Sequence, residues 1–203
     1  MLLKLQPTVA KIAEENLMGL YGLFALILEP PGPSLSDQVN ECLSILAPSR
    51  WEAAGLMNRF KTFVDQTPFS RIEEIYAETF GLQGVCYPYV GYHLFGDGSH
   101  RRLFLAGLEE QYQIYGFSAA QELPDHLGIM LQFLAKDEHE EERDELISLC
   151  VIPALKRMLE GFEDRPTPYE EILQALLLVL QEGETTRNEK MVPEMEEQFS
   201  SGK

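Results

Sequence analysis

An acidic residue and a histidine stand side by side in the stretch QELPDHLGIMLQFLA, residues 121–135, directly before an apolar run. A carboxylate and an imidazole can act as general acid and base, as metal ligands, or as hydrogen-bonding groups for a bound peptide. Pro124 is typical of the first helical position, which predicts that Asp125 and His126 lie in the first turn of a helix. The helix dipole favours an acid there, so helix capping and ligand recognition both remain open interpretations of the pair.

Metal binding requires further ligands at a suitable spacing, and the sequence offers few. The four histidines are scattered, and the paired Glu-x-x-His motifs of a di-iron bundle do not occur. His139 lies in DEHEEERDE, a charge run that is typical of a solvated helix face. We therefore expect no metal and no other cofactor, with an Asp-His metal-dependent hydrolase as an alternative.

A cysteine nucleophile is a second catalytic alternative. Cys86 lies in a glycine-rich segment near His93, and a neighbouring imidazole can activate a thiol. The competing interpretation is a buried thiol packed among Tyr87, Tyr89 and Tyr92. The sequence contains no Gly-x-Ser-x-Gly motif, no P-loop and no Gly-x-Gly-x-x-Gly motif, so serine hydrolases and nucleotide-binding enzymes are not indicated.

The charge of the chain restricts its partners. The 203 residues include 33 acidic and 16 basic side chains, which gives a formal net charge of -17. Such a charge repels nucleic acids and anionic membrane surfaces and attracts basic partners. The N-terminus lacks the apolar core of a signal peptide, no apolar run reaches the roughly 20 residues of a membrane span, and the three cysteines have no CxxC spacing. These features predict a cytoplasmic protein with reduced thiols.

Helical periodicity extends over nearly the whole chain and predicts an all-α fold, a single-domain bundle of about eight to ten helices over residues 1–181. The first helix, over residues 8–28, ends at the prolines of EPPGP. Capping boxes predict further helix starts at Ser49, Ser70 and Thr167. The helix that begins at Ser70 is predicted to end at Gly81.

Two stretches depart from simple periodicity, and a third follows the last helix. The segment GLQGVCYPYVGYHLFGDG, residues 81–98, predicts one short helix surrounded by loops, after which helical spacing resumes over 99–115. Pro153 predicts a kink within a long helix. Residues 182–203 predict a polar, flexible tail, in which Met191, Met195 and Phe199 would share one face if the tail docked as a helix.

Several of these elements resemble the TorD/DmsD/NarJ family of cytoplasmic chaperones for molybdenum-cofactor oxidoreductases. Residues 122–126, Glu-Leu-Pro-Asp-His, are similar to the family's E-x-P-D-H signature. YAETFGL (76–82) and YHLFGDGSHRRLFLAGLEEQYQIYGF (92–117) resemble its nitrate reductase delta-subunit (NarJ) branch. LMGLY (17–21) is similar to the family's aromatic-x-x-Leu-aromatic element, with Leu17 in place of the first aromatic residue.

The resemblance implies a non-enzymatic chaperone. Such a protein binds the N-terminal peptide of an apo molybdoenzyme catalytic subunit, here expected to be nitrate reductase, and assists molybdenum cofactor insertion and assembly. The alternative client is a twin-arginine-exported reductase of the dimethyl sulfoxide or trimethylamine N-oxide type. A monomer is expected, and a dimer formed by helix exchange is the alternative.

The resemblance also predicts a peptide site. Asp125 is expected to accept hydrogen bonds from the peptide, and His126 to orient the peptide or to sense pH. The remaining motif positions of the expected site are Glu122 and Pro124. An apolar groove is expected from Tyr21, Phe24, Tyr87, Tyr89, Tyr92, Phe95 and Met130, although core packing is the alternative for at least half of the aromatic residues.

Overall fold

The computed structural model describes residues 6–46, 50–136 and 140–183, and within these ranges the chain is helical and contains no β-strand. The predicted all-α fold is therefore confirmed. The helices are α1 (Gln6–Ile27), α2 (Leu35–Leu46), α3 (Trp51–Gln66), α4 (Phe69–Phe80), α5 (Val90–Phe95), α6 (Ser99–Ile114), α7 (Leu127–Leu134), α8 (Glu140–Leu146), α9 (Ile152–Glu160) and α10 (residues 169–183).

The main core forms where α1 packs along α7 and α2. Tyr21 and Phe24 of α1 and Met130 of α7 have no exposed area. We predicted these three side chains as candidates for a peptide groove, but the structure places them inside the bundle. Their positions follow from helical spacing, because each lies on the face of its helix that meets the neighbouring helix.

A second part of the core surrounds Tyr169 at the start of α10. The rings of Phe60, Tyr76 and Phe80 lie 5.1 to 5.5 Å from its ring, each at a steep angle. Such edge-to-face packing is a favourable arrangement for aromatic side chains. It joins α3, α4 and α10, which come from distant parts of the sequence.

The long helix that contains Pro153 changes its geometry just before the proline. A π-helical segment, Ile147–Val151, joins α8 to α9, and the Ile152 amide donates to the Ile147 carbonyl. Pro153 has no amide hydrogen, and in an α-helix its ring would clash with the carbonyl four residues earlier. The wider π turn is a known cause of helix distortion and provides the room.

Helix starts were predicted less accurately than helix bodies. α4 begins at Phe69 after Pro68, so Ser70 lies within the first turn and the predicted cap at Ser70 is wrong. Pro68 supplies the carbonyl that accepts from the Ile72 amide at 3.2 Å, and proline suits a helix entry because it lacks an amide hydrogen. The predicted cap at Ser49 lies outside the described residues. The end at Gly81 is confirmed, since the Gly81 amide donates to the Ala77 carbonyl.

The predicted short helix within residues 81–98 is confirmed as α5, which packs against α6 and α9. Arg157 of α9 donates to the carbonyls of His93 and Leu94, at the C-terminal end of α5. A cation at this end of a helix also interacts favourably with the helix dipole. In the part of the chain that the structure describes, no helix has both the length and the apolar composition of a membrane span.

The polar tail stays a prediction. α10 continues to residue 183, and residues 184–203, with Met191, Met195 and Phe199, lie outside the described residues. His139 also lies outside them.

Candidate functional site

The glycine-rich segment and the E-x-P-D-H segment lie side by side. The Val90 amide donates to the Asp125 carbonyl, and the Leu127 amide donates to the Pro88 carbonyl, both at 2.8 Å. These two hydrogen bonds form an isolated antiparallel bridge between Tyr89 and His126. The structure thus brings together two of the regions that the sequence had marked as candidates for chemistry.

The Asp125 side chain faces the interior of the protein. Its carboxylate has no exposed area. Arg101 of α6 binds both oxygens: Nε donates to Oδ2 at 2.8 Å and Nη2 donates to Oδ1 at 3.2 Å. Asp125 and its hydrogen bonds raise the pKa of Arg101 above its usual value. The prediction that Asp125 accepts hydrogen bonds from a peptide is corrected accordingly, because the carboxylate is fully buried and is bound by Arg101.

Gly91 allows α5 to approach this ion pair. A Cβ atom at position 91 would lie 2.7 Å from Asp125 Oδ2 and 2.8 Å from a ring carbon of Phe104. Both distances are too short for a side chain of any size. The glycine is therefore required by the close packing of α5 against Asp125.

The Arg101 guanidinium also lies under the aromatic residues of α5 and its preceding loop. It is 5.4 Å from the ring centre of Tyr89 and 5.9 Å from that of Tyr92, distances at which cation–π attraction is effective. Arg101 Nη1 lies 3.6 Å from Asp97, a largely exposed carboxylate. One arginine thus connects Asp125 to the outer surface.

Pro124 does not begin a helix as predicted. α7 starts at Leu127 with His126 as its N-cap residue, and Pro124 is buried in the preceding turn. The hydroxyl of the buried Tyr112 donates to the Pro124 carbonyl at 2.9 Å, and the Asp125 carbonyl accepts from Val90. These long-range hydrogen bonds use the carbonyls that a first helical turn would have required, so the helix begins later.

Glu122 and His126 remain nearer the surface than Asp125. Glu122 is exposed, and its Oε1 accepts from the Tyr89 hydroxyl at 3.1 Å and from the Leu123 amide at 2.9 Å. The half-buried His126 ring packs edge-on to the Tyr89 ring at 5.4 Å. Burial lowers the pKa of His126, against the opposing effect of the Glu122 and Asp125 carboxylates, so the neutral imidazole is favoured.

An exposed apolar surface lies beside the E-x-P-D-H segment. Leu82 is 95% exposed, Phe95 46%, Tyr87 39% and Tyr92 37%. The Tyr87 and Tyr92 rings are 5.3 Å apart, and the Tyr87 hydroxyl donates to the Leu82 carbonyl at 3.2 Å. We call these four residues the aromatic surface. Only Tyr21 and Phe24, two of the six predicted groove aromatics, are fully buried, so the expectation that at least half belong to the core is wrong.

The catalytic alternatives find little support in the described residues. Cys86 is 2% exposed, and burial raises the pKa of its thiol to about 12, which favours the unreactive protonated form. His93 Nε2 lies 2.8 Å from the Tyr87 carbonyl, so this ring nitrogen is engaged with the backbone. Within the described ranges, no three His, Cys, Asp or Glu side chains are grouped so that they could hold a metal ion.

Sequence reasoning missed Arg101, Tyr112 and Gly91. Arg101 is followed by Arg102 in the sequence GDGSHRR, and nothing local distinguishes the arginine that turns inward from its neighbour. Tyr112 lies in a regular helical stretch. Only the proximity of α5 and α6 to Asp125 reveals the roles of these residues.

Comparisons with known proteins agree with the resemblance seen in the sequence. A protein of Bacillus subtilis (strain 168) named as a nitrate reductase molybdenum cofactor assembly chaperone, NarJ, is 30% identical over 127 residues, which cover 62% of this chain and 67% of that relative. The chain also resembles a crystal structure assigned as a redox enzyme maturation protein from Archaeoglobus fulgidus. That match has a TM-score of 0.56 and 20% identity, covers 83% of this chain and 93% of the other, and shows a shared fold.

A family model supplies the assignment. The model described as nitrate reductase delta subunit matches residues 50–182, which include α3 to α9, the aromatic surface and the buried Arg101–Asp125 pair. The relative from Bacillus subtilis is named as an assembly chaperone. Because the family-model match spans well over half of the chain, the protein belongs to the nitrate reductase delta subunit family.

Proposed function

We propose that this protein binds the N-terminal peptide of an apo molybdoenzyme catalytic subunit, with nitrate reductase as the client, and assists molybdenum cofactor insertion and assembly. The family and the named relative support the chaperone role. The observation that carries peptide binding is the aromatic surface, in which the exposed Tyr87 and Tyr92 rings lie 5.3 Å apart and the exposed Phe95 follows Tyr92 by one helical turn. Exposed apolar clusters of this kind typically mark interaction sites.

The aromatic surface suits a short amphipathic segment. A helical peptide presents apolar side chains every three or four residues, and these would cover Leu82, Tyr87, Tyr92 and Phe95. Tyrosine and phenylalanine provide a large contact area and lose little conformational freedom when they bind. The contact between the Tyr87 and Tyr92 rings restricts both side chains before a ligand arrives.

Two exposed carboxylates lie next to the residues that support this surface. Glu122 accepts a hydrogen bond from Tyr89, and the 88% exposed Asp97 lies near Arg101. Together with the net charge of -17, these acids favour a peptide that carries basic side chains beside its apolar ones. Glu122 is therefore the motif residue that we propose to contact the peptide directly.

The remaining motif residues act as positioning residues in this proposal. Asp125 fixes the position of Arg101 by hydrogen bonding, and the Arg101 guanidinium lies against the rings of Tyr89 and Tyr92. Pro124 is fixed by Tyr112, and the neutral His126 ring packs against Tyr89. The E-x-P-D-H segment would thus set the shape of the binding surface, with Glu122 as its charged edge.

The test is a calorimetric titration of the full chain with N-terminal peptides of molybdoenzyme catalytic subunits from the same organism. We expect micromolar or tighter binding, about -8 kcal/mol or better. Tyr92→Ser combined with Phe95→Ser should weaken binding at least tenfold. The matched control is Leu26→Ser, which removes a 42% exposed leucine from α1 and should leave affinity unchanged.

The outcomes separate the client classes. Tighter binding of a nitrate reductase peptide supports the proposed client, and tighter binding of a twin-arginine peptide would transfer the proposal to an exported reductase. If no peptide binds, or if the Tyr92→Ser/Phe95→Ser variant binds as well as the wild type, the proposed site is refuted.

A further inference from the structure

A second unpartnered apolar strip lies on α6. Leu103 is 72% exposed and Ile114 is 71% exposed, although α6 is an ordinary helix of the bundle. Helical geometry places Leu103, Gly107, Glu110 and Ile114 on one side of α6, because they follow each other at intervals of three or four residues. Gly107 is exposed and has no side chain, which leaves this side of the helix flat. The space beside it is open, since a Cβ atom there would meet nothing within 4 Å.

A groove adjoins this strip. Gln111, one turn before Ile114, lines it from α6, and the opposite wall is formed by α8 and the π-helical segment. The groove has a volume of about 220 Å³ and is lined on that wall by Glu142, Glu145, Leu146, Leu149 and Cys150. Leu149 is 69% exposed, so a third large apolar side chain is available on the far side.

The charged residues within the strip and on the groove wall are acidic. Glu110 lies within the strip, and Glu142 and Glu145 lie on the groove wall. Neither Glu110 nor Glu145 forms an ion pair with another residue that the structure describes. This surface therefore favours a positively charged ligand. A second copy of this chain fits poorly, because it would bring further carboxylates and a net charge of -17 to the contact.

We infer that this strip and groove form a second docking surface, which binds an amphipathic helix with basic flanks from a partner protein. The apolar face of that helix covers Leu103, Ile114 and Leu149, and its lysine or arginine side chains reach Glu110, Glu142 and Glu145. The inference goes beyond the proposed function, because this surface shares no residue with the aromatic surface.

Cys150 provides a direct readout, since it is the half-buried thiol that lines the groove. Cys42 and Cys86 are fully buried, and burial raises the pKa of each thiol to about 12, so they serve as internal controls. Alkylation of Cys150 by N-ethylmaleimide in the native protein would be followed by peptide mass spectrometry. The probe is a synthetic helical peptide with leucines along one face and lysines on both flanks, and its control is a scrambled peptide of the same composition.

We expect saturating helical peptide to slow Cys150 alkylation at least tenfold, with little effect of the scrambled peptide. Ile114→Ser combined with Leu149→Ser should abolish this protection, measured against the variant's own rate without peptide. The matched control is Trp51→Ser, which removes a 76% exposed side chain from α3 and should keep the protection. The Tyr92→Ser/Phe95→Ser variant should also keep the protection of Cys150, because it alters the proposed client site and leaves this surface unchanged.

The inference is overturned by no protection, by equal protection with the scrambled peptide, or by protection that survives the Ile114→Ser/Leu149→Ser change. Protection of Cys150 that grows with protein concentration alone would assign the surface to self-association instead. Protection by the client's N-terminal peptide would also overturn it, because the groove would then belong to the client site and not to a second partner.

Discussion

Arg101 and Asp125 form a two-point ion pair beneath the exposed aromatic residues, with Nε–Oδ2 at 2.8 Å and Nη2–Oδ1 at 3.2 Å. The pair joins α6 to the turn before α7, and α5 crosses it at Gly91. The forked guanidinium matches both carboxylate oxygens, which makes this a strong and directional contact. The acid of the motif therefore acts inside the protein, where it determines how the surface above it is held.

The first prediction concerns the removal of one partner of this pair. Arg101→Met leaves a fully buried carboxylate without its cation, which should lower the free energy of unfolding by about 3–5 kcal/mol. Urea denaturation measures the loss. The double variant Arg101→Met/Asp125→Leu should recover most of it, because an apolar pair can replace a buried ion pair. Equal stability of Arg101→Met and wild type would show that the pair contributes nothing.

The second prediction concerns Gly91. In Gly91→Ala, the new methyl group would lie 2.7 Å from Asp125 Oδ2, so α5 has to shift, and we expect a cost of about 1–3 kcal/mol. The control is Gly55→Ala in α3, where a Cβ atom meets nothing within 4 Å. Alanine favours a helix interior, so the control should be neutral or more stable by up to about 1 kcal/mol. Thermal or urea unfolding compares the two, and an equally mild effect of both would contradict the close packing at Gly91.

The third prediction concerns pH. Burial lowers the pKa of His126 in the folded protein below its usual 6.5, so the unfolded chain binds a proton first as the pH falls. The contribution of His126 to stability is therefore complete above pH 6.5. It is lost progressively from there down to the lower folded-state pKa.

Urea unfolding at pH 7.5 and pH 5.0 tests this dependence. When the pH falls from 7.5 to 5.0, the wild type loses the contribution of His126 to its unfolding free energy. His126→Gln has no such contribution to lose, so its unfolding free energy should fall less, or rise more, than that of the wild type. His100→Gln, at an exposed histidine of α6, controls for a general effect of histidine loss. The comparison between variants is needed because acidification also reduces the repulsion among the excess carboxylates. Parallel behaviour of wild type and His126→Gln would contradict the assignment.

The fourth prediction concerns Cys86. Because its thiol is buried and its pKa is raised to about 12, Cys86→Ala should keep client-peptide affinity within twofold of wild type in the calorimetric assay. The small cavity should lower the free energy of unfolding by no more than about 1 kcal/mol. A folded Cys86→Ala protein that no longer matures its client would instead restore the cysteine nucleophile as an explanation.

The helices themselves follow from local sequence. Apolar spacing predicted α1 and α6, and Gly81 marked the end of α4, because periodicity and helix ends depend on residues within a few positions of each other. The family resemblance was carried by the same local motifs. Even the π-helical segment before Pro153 had a local cause, since proline removes a hydrogen bond wherever it stands.

The site was decided by contacts between distant parts of the chain. No residue close to Pro124 in the sequence indicates that the Tyr112 hydroxyl donates to the Pro124 carbonyl. Likewise, no residue close to Asp125 indicates that Arg101, 24 residues earlier, binds its carboxylate. Local spacing predicted an earlier start for α7 and an exposed Asp125. Hydrogen bonds from α5 and α6 instead engage the carbonyls of Pro124 and Asp125 and the Asp125 carboxylate. The sequence alone thus determined the helices and the family, whereas tertiary packing decided that Asp125 is internal and that Tyr92 and Phe95 remain exposed.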